Sequence, residues 1–239
     1  MAGDAPVRVL VHGASGRMGR ALLRLGADAA GCRVVAAVSG GRPDQRVVDG
    51  VPHFAAAEMG GSPAFDVAID FSRPEGFDAI LALCVARGTG FVSGTTGLDA
   101  PRLEALEAAA ATIPCCWAAN FSVGVAVLAR LVEQAAAALR EWDCDITEIH
   151  HAGKVDAPSG TALALGAVAE GQGATPRYAS LRAGDVVGEH NVQFTGAGER
   201  VELVHRATDR DVFARGALHA ARRLHGRPPG RYALRDLLQ

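Results

Sequence analysis

The sequence predicts an α/β protein: a doubly wound parallel sheet, followed by a second α/β domain built on a mixed sheet. Three observations carry this reading. Short apolar strands alternate with helical stretches through the first two-thirds of the chain. A glycine-rich turn, Gly13-Ala-Ser-Gly16-Arg-Met-Gly19, joins the first strand to the first helix. Beyond Asp143 several strand candidates follow one another, which marks a more antiparallel sheet.

The elements follow in order. Val7–Val11 is a buried apolar strand, and Arg17–Ala29 has helical periodicity. Arg33–Val38, Phe65–Phe71, Gly90–Ser93 and Ile113–Ala119 are further strands, with helices at Gly76–Arg87 and Pro101–Ala111. Ser122–Arg140 is a long helix with Ser122 as its N-cap and Val123, Val127, Leu128, Leu131 and Val132 on one stripe. Asp143–His151 alternates as a strand does, and one short helix follows. Strands are then expected near Tyr178–Ala183, Asp185–Thr195 and Glu199–His205, and Asp209–His225 returns to helix. Gly171–Pro176 and Gly226–Gly230 have the composition of exposed turns, and the domain boundary falls near Phe121.

Composition narrows the function classes. The 239 residues are 49% apolar and 21% charged, which excludes wholesale disorder. The 24 basic and 26 acidic residues leave a net charge of −2, against a nucleic-acid or membrane-surface protein. No apolar run reaches the ~18 residues of a membrane span. Met1–Pro6 shows neither a basic n-region nor an apolar h-region, so no signal peptide is expected. Cys32, Cys84, Cys115, Cys116 and Cys144 are odd in number and unpatterned, as buried thiols in a reducing cytoplasm would be. Among the 24 basic residues only Lys154 is a lysine; the rest are arginine. Lysine can give up its proton where arginine cannot, so this position is a candidate for proton transfer, unless the lysine survived a codon bias by chance.

The first chemical motif is the glycine-rich turn. Gly13 permits the turn, Gly16 lets backbone approach a pyrophosphate, and Gly19 lets the helix pack on the strand. The alternative is a tight turn without a ligand. The second strand ends in Val38-Ser39-Gly40-Gly41-Arg42, with no carboxylate for ribose hydroxyls. Ser39 and Arg42 suit a 2′-phosphate, which predicts a preference for NADPH over NADH. Two further loops, Ser93-Gly94-Thr95-Thr96-Gly97 and Ala118-Ala119-Asn120-Phe121-Ser122, lie at carboxyl ends of strands, where open sheets bind ligands. Phe121 could pack on a ring there.

The densest chemistry is Glu148-Ile-His150-His151-Ala-Gly-Lys154-Val-Asp156-Ala-Pro158-Ser159-Gly160-Thr161. His150 and Lys154 can move protons. Gly160 and Thr161 open a helix whose free N–H groups suit a carboxylate. His150 and His151 face opposite sides of a regular strand and so serve different ends. Asp156 orients Lys154 or caps the helix. Cysteine and carboxylate are absent at zinc-ligand spacing, so no metal is expected. His12, His53, His219 and His225 are surface or packing residues, while His190 and His205 are either structural or near the site.

On these motifs the chain resembles the dihydrodipicolinate reductase family of bacterial diaminopimelate–lysine biosynthesis. Gly13–Gly19, Asp70–Gly76, Gly94–Gly97, Ala118–Gly124, Glu148–Ala162, Val187–His190, Gly198–Arg200 and Phe213–Leu218 carry the resemblance, which spans nearly the whole chain. It implies a Rossmann-like cofactor domain (1–121, completed by 208–239) and a substrate and oligomerisation domain (122–207), assembled as a homotetramer through substrate-domain sheets. Gly13, Ala14, Ser15, Gly16, Arg17, Met18, Gly94, Thr95, Thr96, Ala118, Ala119, Asn120 and Phe121 would then contact NADPH or NADH. His150 would be the proton donor or acceptor and Lys154 a proton donor. His151, Gly160 and Thr161 would hold a small cyclic dicarboxylate. Ser39 stands where the family commonly has an acidic residue. The expected reaction is hydride transfer to a conjugated cyclic imine, followed by protonation. The alternatives are a non-catalytic NADP(H)-sensing module, which has no use for clustered proton donors, and a reductase of another small substrate.

Overall fold

The computed structural model describes residues 5–238. The signal-peptide reading rests partly on Met1–Asp4, which lie outside the described residues. In chain order the elements are β1 (Val7–His12), α1 (Arg17–Gly26), β2 (Cys32–Ser39), β3 (Val47–Val48), β4 (Val51–Ala55), β5 (Val67–Asp70), α2 (Pro74–Arg87), β6 (Gly90–Ser93), α3 (Ala100–Ala110), β7 (Pro114–Trp117), α4 (Val123–Ala138), β8 (Asp143–His150), α5 (Gly160–Glu170), β9 (Pro176–Arg182), β10 (Gly188–Gly196), β11 (Glu199–Ala207), α6 (Asp211–Leu224) and β12 (Gly230–Tyr232). They form two compact units. One holds the residues up to Phe121 and those from Phe213 onward; the other is Ser122–Val212.

The first unit is an eight-stranded sheet in the order β12-β7-β6-β5-β1-β2-β4-β3. Its pairings are parallel except β3 with β4. The parallel strands are apolar because helices cover them: Leu10, Val38, Ala68 and Phe91 pack with Phe77 and Ile80 of α2 and Leu106 of α3. Local signals set the helix starts. Pro74 and Pro101 sit in the first turns of α2 and α3, and Asp99 accepts from the Arg102 N–H. Gly88 ends α2 in a left-handed conformation. Strands β3, β4 and β12 were not expected from the sequence. β3 and β4 are short and flank a tight turn at Asp49-Gly50, and β12 begins where a turn was expected. The segment expected as a turn at Gly171–Pro176 likewise ends inside β9.

The second unit is a four-stranded mixed sheet in the order β11-β10-β8-β9. β8 and β9 run parallel, with α5 between them in sequence, and β10 is antiparallel to both β8 and β11. One face is apolar and packs on two helices. Cys144, Ile146, Val192 and Phe194 meet Leu128, Val132 and Ala136 of α4 and Ala162, Leu165 and Ala169 of α5. The alternation expected for β8 is present, with Cys144, Ile146, Glu148 and His150 on the buried side. Ser122 caps α4 by accepting from the Val125 N–H, and Ser159 caps α5 by accepting from the Ala162 N–H.

Candidate active site

In the first unit the glycine-rich turn is fastened to the end of β2. The N–H groups of Gly13 and Ala14 both donate to the Val38 carbonyl, at 3.0 and 2.9 Å. Gly13 has φ +81°, and a Cβ there would lie 2.5 Å from the Phe71 carbonyl oxygen. A Cβ on Gly19 would lie 2.3 Å from the Gly13 carbonyl oxygen, so only glycine lets α1 start against this turn. Gly16 occupies the N-cap of α1 and has no side chain to claim the first-turn N–H groups. Beside them runs a groove of about 530 Å³ lined by His12, Gly13, Ser15, Gly16, Gly40 and Gly41 from one side and by residues of the Phe71–Gly76 segment from the other.

The other expected contacts are placed as follows. Ala14 is buried, Ser15, Gly16 and Arg17 are exposed, and Met18 is half-buried. Ser39 ends β2 and is half-buried, while Arg42 is exposed, on the far side of Gly40 and Gly41, and contributes to holding the Glu58 carboxyl down, behind the larger effect of Arg46. Gly94 sits where a Cβ would be 2.2 Å from the Phe71 ring. Thr96 is exposed, Ala118 bonds from its N–H to the Ser93 carbonyl at 3.1 Å, and Ala119 is exposed. Asn120 is half-buried. Two of these side chains are engaged within the protein. The Phe121 ring is 1% exposed and packs edge-on against Phe71 at 5.6 Å, so it is a core ring and only its backbone is available. The Thr95 hydroxyl is committed to Asp70, at 2.8 Å.

Asp70 was not singled out by itself in the sequence. It is fully buried at the end of β5 and accepts from the His12 ring, from Ser93, from Thr95 and from the Ser72 N–H, at 2.8–3.1 Å. Burial opposes its charge, but these hydrogen bonds and the neighbouring imidazole overcome burial and hold the carboxyl below its ordinary range. His12 is therefore neither a surface nor a mere packing residue. It is 2% exposed and ties β1 to β5 beside the groove.

In the second unit the apolar face ends in a polar cluster. Glu148 is 1% exposed and accepts both arms of the Arg182 guanidinium, at 2.7 and 3.0 Å, and the His150 Nδ1–H. Burial raises the Glu148 carboxyl, yet Arg182, Ser180 and His150 together bring it down to about 2. The Lys154 ammonium donates to both Asp156 oxygens at 2.7 and 2.8 Å. Of the two roles expected for Asp156, orienting Lys154 is the one seen, and the cap of α5 is Ser159. His151 follows the end of β8 and is half-buried, so it does not share the strand geometry of His150. Gly160 and Thr161 open α5 as expected, and the Gly160 N–H also bears on Asp156.

His190 and His205 are cross-strand partners that complete the cluster. The His190 ring stands edge-on to His150 at 5.2 Å and bonds through Nε2 with the Ser159 hydroxyl. Burial first, then the neighbouring imidazoles, bring His190 down to about 4. His205 bonds through Nε2 with the Ser122 hydroxyl, and burial lowers it as well. Among the described residues no His, Cys, Asp or Glu group is arranged to hold a metal. All five cysteines are free and buried, and burial pushes Cys84, Cys115 and Cys116 up to about 12. No described helix is long and apolar enough to cross a membrane.

Family models described as "Dihydrodipicolinate reductase, N-terminus" and "Dihydrodipicolinate reductase, C-terminus" match residues 7–121 and 124–238. The 4-hydroxy-tetrahydrodipicolinate reductase of Stenotrophomonas maltophilia (strain R551-3) is 70% identical over 237 residues, covering 99% of each chain. The chain belongs to the dihydrodipicolinate reductase family. A relative of the same name from Xanthomonas campestris pv. campestris (strain B100) is 68% identical and covers 98% of both chains. The solved structure of a dipicolinate-bound dihydrodipicolinate reductase from Paenisporosarcina sp. TG-14 has the same fold, with a TM-score of 0.80 at 21% identity, over 96% of this chain and 98% of that one. The Rossmann-like sheet and the second mixed sheet are thus the family's architecture.

Proposed function

We propose that this chain reduces 4-hydroxy-2,3,4,5-tetrahydrodipicolinate to tetrahydrodipicolinate, as the names of its 63–70% identical relatives state for them. The observation that carries the reading is the cluster of His150, Lys154 and the α5 N-terminus on one sheet end, in a family whose first unit has a fitting dinucleotide groove. The groove fits because its glycines bring bare backbone and unclaimed N–H groups to where a pyrophosphate binds.

The net change adds one hydride and one proton to the substrate and releases its 4-hydroxyl as water. The reduced nicotinamide dinucleotide supplies the hydride when bound. The chain's residues supply the rest. Gly13–Met18, Gly94–Thr96 and the Ala118–Phe121 backbone hold the dinucleotide. The Gly160 and Thr161 N–H groups, with His151, take the substrate carboxylates. The Lys154 ammonium stabilises negative charge developing on the ring and is a proton donor, and His150 exchanges a proton at Nε2. Ser39 and Arg42, without a nearby ribose-binding carboxylate, favour NADPH over NADH. The second sheet's helix-free face is the surface through which four copies assemble, and the five buried thiols suit a reducing cytoplasm.

The test is loss of NADPH absorbance, dependent on freshly made substrate. His150→Ala and Lys154→Ala should each lower turnover by ~10²–10⁴-fold while still binding the dinucleotide. Lys154→Arg should also lose turnover, because charge stays but the removable proton goes. Near-native turnover in all three would refute the roles assigned. Arg42→Ala should raise KM for NADPH and leave KM for NADH unchanged.

A further inference from the structure

Arg182 is the most fully committed side chain in the cluster. Its guanidinium has five N–H donors. Nε–H donates to the Lys154 carbonyl at 3.2 Å. One terminal nitrogen donates to Glu148 at 3.0 Å and to the Leu181 carbonyl at 2.6 Å. The other donates to Glu148 at 2.7 Å and to the Asp156 carbonyl at 2.6 Å. Every donor is used, and four of the five acceptors belong to the two segments that carry the proton donors. The Lys154 and Asp156 carbonyls fix the turn from which Lys154 projects. The two Glu148 oxygens fix the carboxylate that receives His150 Nδ1–H.

That geometry sets which nitrogen of His150 is free. An ionised carboxylate only accepts, so Nδ1 must carry the hydrogen, and Nε2 is left as the exchanging atom. Nε2 faces Gly188, where a Cβ would stand 3.0 Å away, so the absent side chain keeps that edge clear.

We propose that Arg182 and Glu148 are positioning residues that hold both proton-transfer groups at once: Glu148 fixes the Nδ1–H tautomer of His150, and Arg182 locks Glu148 and the Lys154 turn to each other. This rests on the reductase reading above. Lysine cannot substitute at 182, since three donors on a point charge cannot serve a two-oxygen fork and three carbonyls. The chain thus holds one cationic position that must be lysine and, beside it, one that must be arginine.

Two measurements test this. The first needs no substrate: ring ¹⁵N signals of the histidines in the unliganded protein. Unaltered protein should show His150 with hydrogen on Nδ1, and Glu148→Ala should move it to Nε2. The second is steady-state reduction by Arg182→Lys and Arg182→Ala. Both should lose ~10²-fold in kcat, the size of effect expected from a misplaced catalytic group, with dinucleotide Kd near that of the unaltered protein and the fold retained at the assay temperature, although the melting temperature falls because the buried Glu148 loses its partner. Added guanidinium, but not ammonium at equal ionic strength, should restore part of the kcat of Arg182→Ala. An unchanged His150 tautomer in Glu148→Ala, or unchanged kcat in Arg182→Lys, overturns the proposal while leaving the reductase reading in place. Failure of the unaltered protein to turn over the substrate removes both.

Discussion

At the scale of single residues, chemistry was legible where it was local in sequence. His150, His151, Lys154 and Thr161 lie within twelve positions, and their residue types alone suggested proton transfer beside an anion site. Near partners were legible too, as Asp156 was for Lys154; distant ones were not, because the chain brings them from afar: Arg182 reaches Glu148 across 34 positions, and His12 reaches Asp70 across 58. Burial of His190 gives a prediction at this scale. Its folded pKa of about 4 lies below the unfolded value of about 6.5, so between these limits the unfolded chain binds the extra proton. Stability should therefore be unaffected above pH 6.5 and fall as pH drops toward 4. Chemical denaturation at pH 7 and pH 5 should show a loss of up to about 2 kcal/mol from this group. His190→Gln should flatten that slope; an equally steep slope in the variant would show that the buried imidazole is not its source.

At the scale of elements, the long apolar strands and capped helices were readable from periodicity. The capping serine of α4 shows why: cap, stripe and sequence run agree. β3 and β12 were not readable, being two and three residues long, and β4 was hidden by Pro52 and His53 inside it; all three are held by neighbours rather than by their own pattern. Helix ends moved by a few residues, as at α1, expected to reach Ala29 and ending at Gly26. The glycine turn makes the element-scale prediction. In an unconstrained helix Gly→Ala would gain about 1 kcal/mol. At Gly19 the new Cβ would meet backbone atoms at 2.3 and 2.5 Å, so the turn must open. Gly19→Ala should weaken dinucleotide binding at least ~10-fold and lower stability by ~1–3 kcal/mol. Gly61→Ala, with nothing within 4 Å, should do neither. Titration of the dinucleotide by nicotinamide fluorescence, with melting curves, checks both.

At the scale of the whole molecule, net charge and composition excluded function classes but did not locate the second sheet's role. The helix-free face of that sheet aligns Ala179, Thr147, Asn191 and Val204 across all four strands. Val204 is 41% exposed and Leu181, on the same face, 55%. If four copies assemble there, light scattering should give four times the 24.6 kDa chain mass, and Val204→Lys should reduce it. A monomer at micromolar concentration would remove that expectation. The turn after β8 also makes the chain unusually simple to interrogate. Its lone ε-amine lies next to Val155, a side chain 97% exposed. An endoprotease specific for lysyl bonds thus has one target in the entire polypeptide, and an acylating reagent one side-chain amine to label. The rate of either reaction becomes a direct gauge of whether a ligand sits over that loop.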